Sequence, residues 1–309
     1  MTDYSVIVKP YRCSYVGALP ASKGIIMTET YFVTGSSVGL GRSIVEAALA
    51  QGHNVVATAR NPAVLEDLAA RYSGQLLAVR LDVTDAEGAR DAVRQAVDKF
   101  GRLDVLINNA GFSGVGSIED MPLELIEAQL STNFLGAVNL TRAVLPTMRA
   151  RARGRILLVS SIGARIATAG AGVYYASKAA VSALAETLAL EVGPLGIQVT
   201  AVEPGAMRTR FAEAGSLQVS PFGPAYEATV GTTIGMMQSP EYNNILRDPD
   251  GVAAMILQVA ALDDPPSRIL AGADSFEMGI GSGDARRASD LHWEKLSRSA
   301  TVEERLLSA

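Results

Sequence analysis

Tyr31-Phe32-Val33-Thr34-Gly35-Ser36-Ser37-Val38-Gly39-Leu40-Gly41 passes from a short apolar run into three glycines, and Ile44, Val45, Ala48 and Leu49 follow at helical spacing. This pattern predicts a strand over Tyr31 to Thr34, a tight turn and a helix over Arg42 to Gln51. A turn built on Gly35, Gly39 and Gly41, with Ser36, Ser37 and Leu40 between them, lets backbone amides approach a pyrophosphate. The positive end of the following helix favours the same anion. The glycine spacing is not the G-x-G-x-x-G of the general dinucleotide fingerprint, and a plain tight turn would also account for it.

Working outward, further short β-branched runs alternate with helix-length segments. Strands are expected at Asn54 to Thr58, Leu76 to Arg80, Val105 to Asn108, Arg155 to Ser160, Gln198 to Val202 and Arg268 to Ala271. Between the third and fourth of the seven, Ala89, Val93, Ala96, Val97 and Phe100 mark a helix over Ala86 to Phe100. Such alternation specifies an α/β fold, a doubly wound parallel sheet of about seven strands whose right-handed crossovers put helices on both faces. Residues 1–26 hold no steady period, since Pro10, Gly17, Pro20 and Gly24 interrupt each apolar run. They read as a flexible extension, from an upstream start codon or as a dispensable arm, with one catalytic domain over 27–309.

Composition narrows the function classes. The 309 residues are 48% hydrophobic and 19% charged with a net charge of -5, which suits a globular protein and offers no basic footprint for nucleic acid. The basic cluster Arg149, Arg151, Arg153 and Arg155 reads as a solvated helix end. Cys13 is the single cysteine, so the chain can form neither an internal disulfide nor a thiolate metal site, which fits a reducing, cytoplasmic setting. His53 and His292 fall in no metal-ligand pattern and read as structural, so no metal is expected. The apolar stretch from Val252 to Leu262 is too short to span a bilayer and reads as a core helix; no membrane partner is expected.

Chemistry concentrates where strands should end. In Tyr174-Tyr175-Ala176-Ser177-Lys178, Tyr174 and Lys178 stand one turn apart on a helix continued by Val181, Leu184 and Leu188, so both side chains leave one face. An ammonium held near a phenol favours the phenolate and tunes it toward proton exchange near neutral pH. Ser161 closes the strand Leu157-Leu158-Val159-Ser160-Ser161, where its hydroxyl can bond a substrate oxygen, and Asn108-Asn109-Ala110-Gly111 ends another. Asn133 lies in the helical stretch after it. Thr58-Ala59-Arg60 lacks the acidic residue that would bind an NAD ribose; Arg60 can instead pair with the 2′-phosphate of NADP, or be a plain surface arginine.

Taken together, these motifs resemble the short-chain dehydrogenase/reductase family from about Thr30 to Thr209. They are the Thr-Gly-x-x-x-Gly-x-Gly loop from Thr34, Asp82-Val83, Asn108 to Gly111, Asn133, Ser161 with Tyr174 and Lys178, and Pro204-Gly205 leading to Thr209. The resemblance implies a Rossmann-type fold and an NAD(P)-dependent oxidoreductase that interconverts a carbonyl and a secondary alcohol. It implies that Tyr174 is the acid in reduction and the base in oxidation. Lys178 would bind the nicotinamide ribose and lower the tyrosine pKa, Ser161 would hold the substrate oxygen, and Asn133 would support a proton-relaying water. Asp82 and Val83 would hold the adenine, while Asn109, Ala110, Gly111, Pro204, Gly205 and Thr209 would complete the cofactor cleft.

Val38 stands where many NADP-preferring members carry a basic residue, so the preference for NADP(H), with NAD(H) as the alternative, rests on Arg60. The family's common short ending is replaced by a charged helical tail around Trp293, expected over about 282–309. A substrate lid is expected over about 207–247, where Phe211, Phe222, Tyr226, Met236, Met237 and Tyr242 either face a hydrophobic ketone, aldehyde or alcohol or simply pack the lid down. Phe112 to Gly116 would form the opposite wall. Kinship implies a homodimer or homotetramer through the long helices spanning roughly Leu123 to Met148 and Tyr174 to Val192. Two other functions fit the same residues less well: a non-catalytic NADP-binding regulator, which should have lost one of the tyrosine, lysine and serine, and a reductase of acyl-carrier-linked ketones, which would need a basic docking surface.

Overall fold

Seven parallel strands form the central sheet of the computed structural model, which describes residues 28–207, 217–239 and 248–300. They are β1 (Thr30–Thr34), β2 (Asn54–Ala59), β3 (Leu76–Arg80), β4 (Val105–Asn108), β6 (Gly154–Val159), β7 (Ile197–Pro204) and β9 (Arg268–Ala271). Their order is β3-β2-β1-β4-β6-β7-β9, so the chain winds outward one way from β1 and then the other way from β4. The β1–β4 junction is the point where such sheets open a crevice beyond their carboxyl ends.

The five inner strands are buried on both faces, which is why they read as nearly continuous apolar runs, while the edge strands β3 and β9 are partly exposed. On one face α1 (Gly39–Ala50) and α8 (Pro249–Ala261) pack Ile44, Val45, Leu49, Ile256 and Leu257 against Val33, Val55 and Ile107. On the other, α3 (Ala86–Phe100), α5 (Gly136–Ala150) and α6 (Gly172–Val192) bury Val93, Leu140, Val144, Val181 and Leu188 against Phe32, Leu106, Ile156 and Leu158. Asp85 caps α3 by accepting from the Glu87 and Gly88 amides, and Gly101 ends it in the left-handed conformation. The apolar stretch from Val252 to Leu262 is thus the core helix it was read as.

Several details differ from the sequence reading. Helix α1 begins at Gly39, three residues before the expected start at Arg42, which brings Leu40 and Gly41 into its first turn. Two short strands, β5 (Ser113–Val115) and β8 (Leu217–Val219), pair in parallel as a separate sheet; three residues each give too little alternation to be seen. The stretch from Leu123 is α4 (Leu123–Leu130), one π-helical turn at Ser131–Leu135, and then α5. The arginine cluster is not one solvated face: Arg151 pairs with buried Asp104, Arg153 with Glu29, and Arg155 lies within β6 beside Gln198. His53 is structural, accepting the Glu29 amide and packing on the Tyr31 ring. The terminal helix α9 (Ala273–His292) starts directly after β9, well before 282, and α10 (Glu294–Arg298) follows it. Residues 1–27 and 301–309, and with them the whole of the expected extension and the end of the tail, lie outside the described residues.

Candidate active site

The β1–α1 turn is clasped from the side by the end of β4. The Thr34 hydroxyl accepts the amides of Asn109 and Ala110 at 2.9 and 3.0 Å, and the Asn109 amide group donates to the Thr34 and Gly35 carbonyls at 2.9 and 3.2 Å. Gly35 has φ of +66°, and a Cβ there would lie 2.8 Å from the Ala110 Cα, so the clasp closes only on glycine. Val38 precedes α1 without a capping side chain, and the first turn holds no acid, so its amides stay open to an anion. Ser36 turns away from that opening. Its hydroxyl donates to the Val33 carbonyl and its amide to Thr58, which removes it from the groups that can donate to a phosphate and leaves Ser37 and the amides of Leu40 and Gly41.

Arg60 directly follows β2, exposed, and no ion pair holds it among the described residues. Its charge reaches Asp82, whose carboxyl is held below the usual range mainly by the amide and hydroxyl of Thr84, with Arg60 adding to the effect. Val83 is buried beside Asp82 and packs on Gly136 of α5. Asp82 and Val83 therefore border the same rim as Arg60.

Four elements converge across the crevice. Asn133 sits in the π-helical turn, an irregularity that re-aims a side chain at a functional site. Its side-chain oxygen accepts the Phe112 amide and its nitrogen donates to the Phe112 carbonyl, both at 2.9 Å, and to the Ser177 hydroxyl at 3.0 Å. Gly111 faces both Asn133 and Lys178: a Cβ there would meet Asn133 Oδ1 at 3.0 Å and Lys178 Nζ at 3.4 Å. Lys178 is buried at 5% exposure and donates to the Val159 carbonyl at 2.8 Å. Desolvation pushes its ammonium down to about 8, which leaves it mainly cationic at pH 7. Its nitrogen lies 5.9 Å from the centre of the Tyr174 ring. The Ser161 hydroxyl accepts the Gly163 amide at 3.1 Å, so its own proton remains to donate.

Asn133 and Lys178 thus meet beside Gly111, with Tyr174 one turn before Lys178 and Ser161 directly after β6, at the carboxyl end of the sheet. A family model for short chain dehydrogenases matches residues 29–219. The chain belongs to that family. An oxidoreductase named BOA17 from Botryotinia fuckeliana is 39% identical over 88% of this chain and 98% of its own length. The crystal structure of a short-chain dehydrogenase from Streptomyces avermitilis is 38% identical, with a TM-score of 0.83 over 90% of this chain and all of that one. ElxO with NADP bound superposes with a TM-score of 0.67 at 25% identity, over 79% of this chain and 96% of that one. Short-chain dehydrogenases are oxidoreductases of Rossmann type, as the strand order found here also states.

Pro204 and Gly205 close β7 at the same end of the sheet. Thr209, Phe211 and Tyr242 lie outside the described residues. Of the other residues of the expected lid, Phe222, Tyr226 and Met237 pack with Leu217 around Val115, Val230 and Ile234, while Met236 is half exposed. The Tyr226 hydroxyl donates to Glu119, and the Gly223 amide to Asp120 at 2.9 Å, so this segment is fastened to the loop after β5. Sequence reasoning missed the Thr34 hydroxyl, Ser177 and a buried carboxylate, Glu203. The one signal for the last is a charge in the otherwise apolar end of a strand, Val199-Thr200-Ala201-Val202-Glu203. Among the described residues no group of three His, Cys, Asp or Glu side chains is arranged to hold a metal, and no helix is long and apolar enough to cross a membrane.

Proposed function

We propose that this short-chain dehydrogenase is an NADP(H)-preferring carbonyl reductase or alcohol dehydrogenase for a hydrophobic ketone, aldehyde or secondary alcohol. The observation that carries the reading is the buried Lys178 ammonium, fixed on the Val159 carbonyl one helical turn from Tyr174 and facing Gly111. A buried cation beside a phenol supports proton exchange at neutral pH, because charge–charge attraction is strongest where water is excluded.

The residues present fit a dinucleotide. The uncapped start of α1 with Ser37, Leu40 and Gly41 would hold the pyrophosphate, and Asp82 with Val83 the adenine. Arg60, exposed and unpaired among the described residues, supports the 2′-phosphate of NADP, in line with the NADP bound to ElxO. Ala110 and Gly111 would flank the cofactor, with Asn109 locking the turn behind it, and Pro204 and Gly205 would bound the nicotinamide end, where Lys178 reaches the ribose. When bound, the cofactor supplies or accepts the hydride.

The protein's own part is proton transfer and alignment. In reduction the Ser161 hydroxyl donates a hydrogen bond to the substrate oxygen and the Tyr174 hydroxyl gives that oxygen its proton; oxidation reverses both. Lys178 stabilises the phenolate left behind, and Asn133, held on Phe112 and Ser177, supports the water that returns the proton. Val115, Val230, Ile234 and Phe222 pack as one apolar cluster, and Val230 meets Gly170, which leads into the helix of Tyr174; this supports a hydrophobic substrate. Exposed Leu123, Leu130 and Leu135 support self-association through the α4–α5 face. Oxidation of NADPH and NADH against a panel of ketones and aldehydes, repeated with Tyr174→Phe, tests the reading. No turnover with any carbonyl, or an unchanged rate in the variant, overturns it.

A further inference from the structure

Glu203 is fully buried, one residue before Pro204-Gly205 at the end of β7. Its carboxylate accepts from Arg165 Nε at 2.5 Å, from Arg268 Nε and Nη2 at 2.9 and 2.5 Å, and from the Ser182 hydroxyl at 2.7 Å. Each donor comes from a different element. Arg165 ends the short turn that Ser161 begins, Ser182 stands one turn beyond Lys178 on α6, and Arg268 begins β9. The Ser182 oxygen is also 2.8 Å from the Ser160 hydroxyl, which donates to the Lys178 carbonyl at 2.8 Å.

The backbone around Glu203 is held as firmly. Its carbonyl accepts the Ser275 hydroxyl at 2.7 Å, at the start of α9. Farther along that helix, Ser282 and Arg286 donate to the Arg165 carbonyl. The Glu203 carboxylate therefore joins the serine loop, the tyrosine–lysine helix and β9, and its backbone carbonyl ties the Pro-Gly turn to the terminal helix.

Stability alone is a weak reason for such a group. Burying a charge costs several kcal/mol per ion even after relaxation, and an apolar packing of equal volume often does as well. What an apolar residue would not supply is directional ties between elements, and a misplacement of about 1 Å at a reacting centre can cost on the order of 100-fold in rate.

We propose that Glu203 is a positioning residue for the reaction: through Arg165 and Ser182 it sets the separation and rotation of the Ser161 loop relative to the helix carrying Tyr174 and Lys178. This rests on the assignment of Ser161, Tyr174 and Lys178 under the proposed function. Ser182→Ala cuts the direct tie to α6 with little change of volume, leaving only the outer link through Arg268 to Glu186, and Glu203→Gln removes the charge. Because Glu203→Gln leaves Arg165 without its carboxylate and Arg268 with Glu186 alone, and can fail to fold, Glu203→Gln/Arg165→Gln provides a version with one cation removed. Each is measured for melting temperature, kcat and KM with NADPH, and Tyr174 ionisation, read as the 295 nm phenolate absorbance against the same protein carrying Tyr174→Phe.

The expected result is a kcat lower by about tenfold in Ser182→Ala and about 100-fold in the double variant, with KM for NADPH within about twofold. Tyr174 should ionise at higher pH in both, and the melting temperature of the double variant should lie above that of Glu203→Gln. Parent-like kcat and Tyr174 ionisation in Ser182→Ala and the double variant, with only the melting temperature moved, would overturn the proposal. Should the parent itself reduce no carbonyl, the proposed function fails. The Tyr174 titration then decides the positioning role alone: a shift upholds it and none overturns it.

Discussion

The Lys178 ammonium lies 2.8 Å from the Val159 carbonyl, inside the protein and under the ring of Tyr174. Desolvation lowers its pKa from 10.5 to about 8. Between those values the unfolded chain binds a proton that the native protein does not, so raising the pH favours the native state. The parent should therefore gain stability relative to Lys178→Met as pH rises from about 8 to about 10.5, and the two should change in parallel below that window. Urea unfolding across pH 6–11 measures it, and parallel curves throughout would refute the buried-cation reading.

Tyr174 is expected to carry the proton. Tyr174→Phe should lower kcat by about 10²–10⁴-fold, the usual worth of a positioned acid, while NADPH binding followed by fluorescence stays near the parent value. Tyr175 is the internal control, since its hydroxyl donates to Thr168 instead and its ring packs on Gly163. Tyr175→Phe should keep most of the activity, and equal losses in the two variants would count against the assignment.

Arg60 is expected to set cofactor choice. A charge-assisted bond to the 2′-phosphate is worth about 1.5–3 kcal/mol, so Arg60→Ala should raise KM for NADPH by about 10–100-fold and leave KM for NADH within about twofold. Equal losses with both cofactors would remove the basis for an NADP preference.

The sheet and most of the site were legible in the sequence because their signals are local. β2 and β4 are apolar runs bounded by turns, and Tyr174 and Lys178 are four residues apart on one helix. What escaped depends on distant partners. Ser36 lies within the glycine loop and looks ready for a phosphate, yet its hydroxyl turns inward to Val33, a choice made by the fold of the turn and not by residue type. Glu203 gains its meaning from Arg165, 38 positions away, and from Arg268, 65 away. β5 and β8 are held by each other across more than 100 residues, with too few residues in either to set a period. The packing of Phe222 and Tyr226 on the cluster of Val115, Val230 and Ile234, the first of these more than 100 residues earlier, was likewise invisible in the sequence.

Thr34 supplies the last prediction. Its hydroxyl accepts two amides from the β4 end, Asn109 and Ala110, and so fixes the distance between the glycine turn and Gly111. Thr34 is 1% exposed, so Thr34→Val keeps the shape and leaves two donors without an acceptor or water. Each unsatisfied donor costs about 1–3 kcal/mol, giving an expected loss of about 2–4 kcal/mol in unfolding free energy once the turn relaxes. The same relaxation should open the clasp under Gly35 and weaken NADPH binding more than tenfold, because the α1 amides then no longer face the pyrophosphate in a fixed position. Thr34→Ser retains the acceptor and should recover most of both losses. If Thr34→Val lowers stability but leaves NADPH affinity intact, the clasp holds the sheet together without shaping the cofactor cleft.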